Sequence, residues 1–196
     1  HTVRWAHGHE GQSAADFCFC LSYERLLPAE TRALFQHTLV VHESDLPQGK
    51  GWSPLTWQIL EGRNRIAVTL FEATDGLDSG VIYAQRWLDF QGHELVDELR
   101  AAQATATHDL CRWFVDQFPT SLAQARVQEG EETFYPRRRR EDSRLDPDKT
   151  LAEQFNLLRV VDEERYPAFV EHCGELFKLS IVRIKGANSP CIRGEL

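Results

Sequence analysis

"VVHESDLPQGKGWSP" (residues 40–54) opens as a buried strand and closes as a loop in which regular structure is forbidden. Val40 and Val41 extend an apolar run from Leu39, and His42, Glu43, Ser44 and Asp45 then arrive together. Pro47, Gly49, Gly51 and Pro54 break any further ladder or helix, since proline lacks a donor and glycine admits conformations other residues avoid. A strand that ends in this way delivers a histidine to its own mouth. Ligand sites in open α/β sheets lie at such strand ends, so His42 is the first candidate for chemistry.

The flanking sequence sets the architecture. "DFCFCLSY" (16–23) alternates and is rich in aromatics, which predicts a buried strand. "LLPAETRALFQ" (26–36) predicts a short helix with Pro28 near its start, and "HTLVVH" (37–42) the next strand. "PLTWQILEG" (54–62) places Leu55, Ile59 and Leu60 on one helical face and stops at Gly62. "RIAVTLFEA" (65–73) and "VIYAQRWLDF" (81–90) read as strands joined by the turn "DGLDSG", and residues 93–118 as a long amphipathic helix. Short connections between alternating strands and helices imply a layered α/β sheet. From Pro119 the chain becomes charged and irregular, which predicts a surface linker. A helix (151–161), a hairpin of "AFVEH" with "GELFKLSIVRI" (174–184) and a loose tail (185–196) follow.

Composition narrows the function. The 196 residues are 42% hydrophobic and 27% charged, enough for one sizeable core and a small appendage. A net charge of -8 argues against general nucleic-acid binding. No apolar run approaches the roughly 20 residues of a membrane helix, and no signal peptide opens the chain. Five scattered cysteines (18, 20, 111, 173 and 191) predict reduced thiols in a cytoplasmic protein. Cys18 and Cys20 share a strand face without a C-x-x-C partner, which predicts packing and no metal site.

Asp75 and Asp78 sit in the turn "TDGLDSG" at another strand end, where an acid can converge on His42. Turn chemistry alone also favours aspartate and glycine there. Arg137–Arg140, beside Glu141 and Asp142, predicts a solvated run with some capacity for phosphate. No phosphate-binding glycine loop or nucleophile elbow occurs.

"HESDLPQGKGWSPLTWQILEG" followed by "VTLFEATDGLDSG" resembles the folate-dependent formyltransferases, whose signature is N-x-H-x-S-x-L-P, a helix and a D-x-G segment. His42, Ser44, Leu46 and Pro47 match the first element, and Asp78 with Gly80 the second. The resemblance covers about residues 16–118, and "FYPRRRREDSRLD" with "NLLRVVDEERYPAF" extends it towards the methionyl-tRNA and aminoarabinose enzymes. It implies an α/β, Rossmann-like layered sheet with a short C-terminal helix and β-hairpin extension. Residues 1–119 would be the catalytic domain, lacking one N-terminal βα unit on the order of 30 residues, and residues 120–196 the extension.

The resemblance also implies a reaction. The formyl group of 10-formyltetrahydrofolate would pass to a primary amine, with no metal. A nucleotide-linked amino sugar is the first choice of acceptor; methionyl-tRNA, hydrolysis to formate, or folate binding without catalysis are the alternatives. A homodimer through the C-terminal hairpin would fit the sugar enzymes. His42 would stabilise the oxyanion and Asp78 would orient it and assist deprotonation. The family's asparagine falls on Val40, so Ser44 or a backbone N–H would supply the missing donor. Arg25, Leu26 and Leu27 would hold the pterin through their backbone, with Ala73, Thr74 and Asp75 closing the other side.

Overall fold

The computed structural model describes residues 1–184. The expected tail at 185–196, with Cys191, lies outside the described residues. The elements are β1 (Ala15–Cys20), α1 (Ala29–Arg32), β2 (Phe35–His42), β3 (Lys50–Gly51), α2 (Pro54–Leu60), β4 (Arg65–Glu72), β5 (Ile82–Asp89), α3 (Val96–Gln117), β6 (Phe134–Tyr135), α4 (Phe155–Val160), β7 (Ala168–His172) and β8 (Glu175–Leu179). Short 3₁₀ turns cover Thr120–Gln124 and Arg140–Ser143.

A four-stranded mixed sheet in the order β1-β2-β4-β5 forms the centre. β1 and β2 are parallel, and β2–β4 and β4–β5 are antiparallel. Strand alternation sorts the side chains onto two faces. Leu39, Val41, Val68, Leu70 and Tyr83 pack on Ala106, Leu110 and Phe114 of α3. Val40 looks the other way, against Leu46, Phe71 and Ile82. The pairing of His42 with Thr69 and of Val40 with Phe71 therefore puts His42 and Val40 on the face opposite α3.

Several expected elements are shorter in the structure. The helix expected over 26–36 is the single turn α1, because Leu34 bonds back to Thr31 and Phe35 already enters β2. β1 is half-buried where a buried strand was expected: among the described residues it pairs with β2 alone, and its aromatic face, Phe17 and Phe19, meets the α3 core. Helix α3 begins at Val96, where Glu98 accepts from the Leu95 N–H at 2.9 Å and satisfies a free helix-end donor. The β7–β8 hairpin turns on Cys173 and Gly174, with φ of +52° and +80°. Two such residues are what a two-residue hairpin loop needs to match strand twist.

The expected surface linker is largely tied down. β6 runs parallel to β3, and Arg126 exchanges two backbone hydrogen bonds with Ile82 at the edge of the main sheet. The arginine run is exposed at Arg137, Arg139 and Arg140, as a solvated run implies, yet three of its guanidiniums also meet aromatic rings. Arg137 lies over Trp52, Arg138 between Trp57 and Tyr166, and Arg140 over Phe169, with centroid distances of 4.6, 5.9, 5.9 and 5.3 Å. Guanidinium planes favour such faces over full hydration.

Helix α4 docks by a buried polar anchor. Arg159 is fully buried, donating to Asn64 Oδ1 at 2.7 Å and Asn156 Oδ1 at 2.8 Å, with Glu94 3.8 Å away. Val160 joins Leu55, Ile59, Ile66 and Leu99 in one apolar cluster. Just beyond, Asp162 receives Arg100 at 2.5 Å and the N–H groups of Glu164 and Arg165 at 2.9 Å each.

The Arg100 guanidinium and these amides hold the Asp162 carboxyl down at about 2. A depressed folded pKa contributes stability above the unfolded value, lost as pH falls through the folded one. Asp162→Asn should therefore lower the Tm at pH 7. Thermal melts should show the gap to wild type shrinking from about pH 4 downward and closing near the folded value of about 2.

Candidate active site

His42 ends β2 and is 7% exposed. Its Nε2 lies 2.8 Å from the Gly49 carbonyl oxygen and 3.7 Å from Asp78 Oδ2. A carbonyl can only accept, so the hydrogen of neutral His42 sits on Nε2, and Nδ1 is left to exchange a proton. Asp78 stands at φ +47°, a left-handed conformation that short polar residues tolerate. Its Oδ2 accepts the Gly51 N–H at 2.8 Å, and Gln128 donates to the Asp78 and Gly80 carbonyls at 2.8 and 2.9 Å. Gly80 has to be glycine, because a Cβ there would stand 1.7 Å from the Glu72 carbonyl oxygen.

The loop between His42 and Gly51 is held from outside by the segment around β6. Gly49 N–H donates to Thr133 Oγ1 at 2.8 Å, Lys50 N–H to Thr133 O at 2.9 Å and Trp52 N–H to Tyr135 O at 3.2 Å. Lys50, almost wholly buried, pairs with Glu132. Tyr135 stacks on Trp57 and donates to Glu61 at 2.8 Å. Burial and that acid push its phenol up to about 12. The carbonyl that orients His42 is thus positioned by residues some 80 positions along the chain.

Two cavities open at these strand ends. A cleft of about 40 Å³ is lined by Arg25, Leu26, Leu27, Val40, Ala73, Thr74 and Asp78 among others. A cavity of about 390 Å³ lies beside it, with His42, Glu43, Trp52, Leu99, Arg100, Gln103 and Val160 in its wall. Cys20, Tyr23, Arg25 and Leu26 border both. The larger space falls in the size range of small-molecule sites, whereas the cleft alone is smaller than a bicyclic pterin.

The sequence-derived candidates divide accordingly. Arg25, Leu26, Leu27, Ala73, Thr74, Val40 and Asp78 meet at the cleft, and His42 faces the cavity. Asp75 lines neither: it is exposed and paired with Arg32. Ser44 lines neither as well, its hydroxyl being buried without a partner among the described residues. Cys18 and Cys20 are half-buried thiols, and among the described residues no cluster of His, Cys, Asp and Glu could hold a metal ion. No helix among the described residues is long and apolar enough to cross a membrane.

The profile of the formyl transferase family matches residues 8–114, more than half of the chain. The chain belongs to that family. A methionyl-tRNA formyltransferase of Thermodesulfovibrio yellowstonii is 24% identical over 145 residues, covering 74% of this chain and 47% of the relative. The chain thus spans about half the length of curated relatives it matches. Among solved structures, the methionyl-tRNA formyltransferase from Clostridium thermocellum superposes with a TM-score of 0.71 at 27% identity, over 86% of this chain and 73% of that one. A sugar N-formyltransferase from a Shewanella species gives 0.64 at 15% identity, over 85% and 69%, and shares the fold.

Within this formyl transferase chain, Glu43 escaped the motif reading, though it stands next to His42. It is half-buried, with Oε1 accepting from Gln103 of α3 at 2.7 Å. Loss of water pushes its carboxyl up, and Asp78 adds to this, while His42 and the Gln103 hydrogen bond pull it down. Thr133 and Gln128 were also missed, since their roles depend on contacts far apart in sequence.

The clamp on the loop leads to a test. Gly51 has φ +103°, and a Cβ there would sit 2.4 Å from the Tyr135 carbonyl oxygen. Gly51→Ala should force β6 off the loop, at a cost of about 1–3 kcal/mol. Thermal melts and faster proteolysis around residues 131–136 should report it.

Proposed function

We propose that this chain carries the catalytic site of an N-formyltransferase that moves the formyl group of 10-formyltetrahydrofolate to a primary amine on a nucleotide-linked sugar. The observation that carries the reading is the pair of His42 and Asp78, 3.7 Å apart, at the junction of two cavities. Family membership supports the formyl chemistry and the folate donor.

In this reading the donor's pterin approaches the cleft walled by Arg25–Leu27 and Ala73–Thr74, which has to widen to admit it. The acceptor enters the larger cavity. Attack by the amine nitrogen on the formyl carbon makes a tetrahedral oxyanion. His42, held by the Gly49 carbonyl, accepts a proton at Nδ1 and faces the developing charge, and the Asp78 carboxylate stabilises the resulting imidazolium. A fixed donor aimed at such an oxyanion is worth about 3–4 kcal/mol.

The asparagine of the family motif is absent at Val40, whose side chain packs among Leu46, Phe71 and Ile82. Ser44 was one candidate substitute, but its hydroxyl lies outside both cavities. A backbone N–H at the cleft is the better substitute. A sugar acceptor is preferred over tRNA because the chain carries a net charge of -8, which opposes phosphate binding. The cytoplasm is the expected compartment for such a reaction, and a homodimer its expected assembly.

Three outcomes check this reading. Formyltetrahydrofolate turnover should require an added amine, whereas amine-independent formate release would indicate a hydrolase. His42→Ala and Asp78→Ala should each lower kcat about 100-fold or more, and the double variant should lose far less than the product, because the two act as a unit. Tetrahydrofolate should raise the Tm by mass action.

Val40→Asn tests the missing donor separately. With a backbone substitute in place, the new amide should give no gain in transfer. It should also cost about 1–3 kcal/mol as an unpartnered polar group, read as a lower Tm.

A further inference from the structure

The family motif assigns roles to His42 and Asp78 and leaves unassigned the acid between them and the larger cavity. Asp78 belongs to the cleft, with Oδ2 already accepting the Gly51 N–H. Glu43 lies on the other side of His42, in the wall of the 390 Å³ cavity. His42 ends its strand with one acid towards each space.

The cavity's other charges are accounted for. Arg100 is paired with Asp162 at 2.5 Å. Glu24, at the mouth, has Arg137 and Arg165 within 3.5 and 3.9 Å. Arg25 is exposed. Among the described residues no basic side chain lies within ion-pair distance of Glu43, and its side-chain hydrogen bond comes from the neutral amide of Gln103. A carboxylate withdrawn from water without a counter-ion favours a cation from outside. The acceptor's amine is such a cation, since a free primary amine is an ammonium ion at neutral pH.

We propose that Glu43 receives the acceptor: its carboxylate binds the incoming ammonium ion in the larger cavity and removes the proton that blocks attack. The assignment rests on the formyltransferase reading above. One proton passes from R–NH₃⁺ to the carboxylate, giving R–NH₂ and Glu43–COOH. The nitrogen lone pair then forms the new C–N bond as the carbonyl pair moves to oxygen. Collapse re-forms the carbonyl and breaks the bond to N10 of the folate. N10 takes the second proton of the attacking nitrogen through His42, and Glu43 returns its own proton to solvent. The buried setting that raises the Glu43 carboxyl also makes it a stronger base than a surface glutamate.

Two acceptors separate this role from a structural one. The first is a nucleoside-diphosphate 4-amino-4,6-dideoxyhexose, which arrives as an ammonium ion. The second is hydroxylamine, which is neutral at pH 7 and needs no proton removed before attack. With the full chain and 10-formyltetrahydrofolate, Glu43→Gln should cut transfer to the amino sugar about a hundredfold or more. Transfer to hydroxylamine should continue at the wild-type rate. Equal rates with wild type on both acceptors overturn the proposal, and so does loss of both in a variant with the wild-type Tm. If Glu43→Gln does not fold, Glu43→Asp replaces it: an amino-sugar KM raised several-fold with hydroxylamine transfer unchanged supports the role, and an unchanged KM overturns it. A wild type inert towards both acceptors brings down the formyltransferase reading and this assignment together, an outcome distinct from selective loss in the variant.

Discussion

The hydrogen bond from the Gly49 N–H to Thr133 Oγ1, with the two-residue pairing of β3 and β6 beside it, holds the candidate site in shape. Gly49 presents its carbonyl to His42, and Gly51 presents its amide to Asp78. Both groups belong to a stretch whose one regular element is the two-residue β3, too short to stiffen it alone. Without the returning segment, the two glycines would be free over a wide range of φ and ψ. Preorganisation matters here because a donor or acceptor is worth most when it need not move during the reaction. The clamp is local in space and remote in sequence, and it replaces the rigidity that a longer strand would have supplied.

Charge is distributed so that each ionisable group near His42 has a different constraint. Asp78 is fixed by the Gly51 amide and stays towards the cleft. Glu43 is fixed by an amide side chain and faces the cavity, where desolvation pushes its carboxyl up. Lys50, buried close by, does not neutralise either acid, because Glu132 holds it on the outer side of the loop. Two acids thus flank one imidazole in a poorly hydrated space. In the proposal above, an incoming cation would offset the repulsion between these two acids.

What could be read from the sequence was whatever depends on local pattern. The strand ending at His42, the proline- and glycine-broken loop, helix α2 and the turn around Asp78 all announce themselves within windows of ten residues. The return of residues 132–136 does not. Phe134–Tyr135 is too short to carry a strand pattern, and its acidic and basic flanks look like solvated chain. The ring contacts of the arginine run were hidden for a related reason: Arg137 and Arg138 lie on Trp52, Trp57 and Tyr166, aromatics supplied by other segments. Glu43 was hidden by the motif itself, which names the residues on either side of it. Its environment comes from Gln103 on a helix 60 residues away.

The larger cavity draws its wall from both parts of the chain. β1, β2 and α2 contribute Cys20, His42 and Leu55, α3 contributes Leu99, Arg100 and Gln103, and α4 contributes Val160. Val160 is delivered by the buried Arg159 anchor, and Arg100 is held in line by Asp162 just past α4. The segment beyond residue 119 therefore helps shape the larger cavity. Changes in α4 should alter which amine fits, while His42, Asp78 and the clamped loop would still set how fast any amine that fits reacts. In the proposed reading, the segment beyond residue 119 and the motif around His42 would share the wall of the acceptor space.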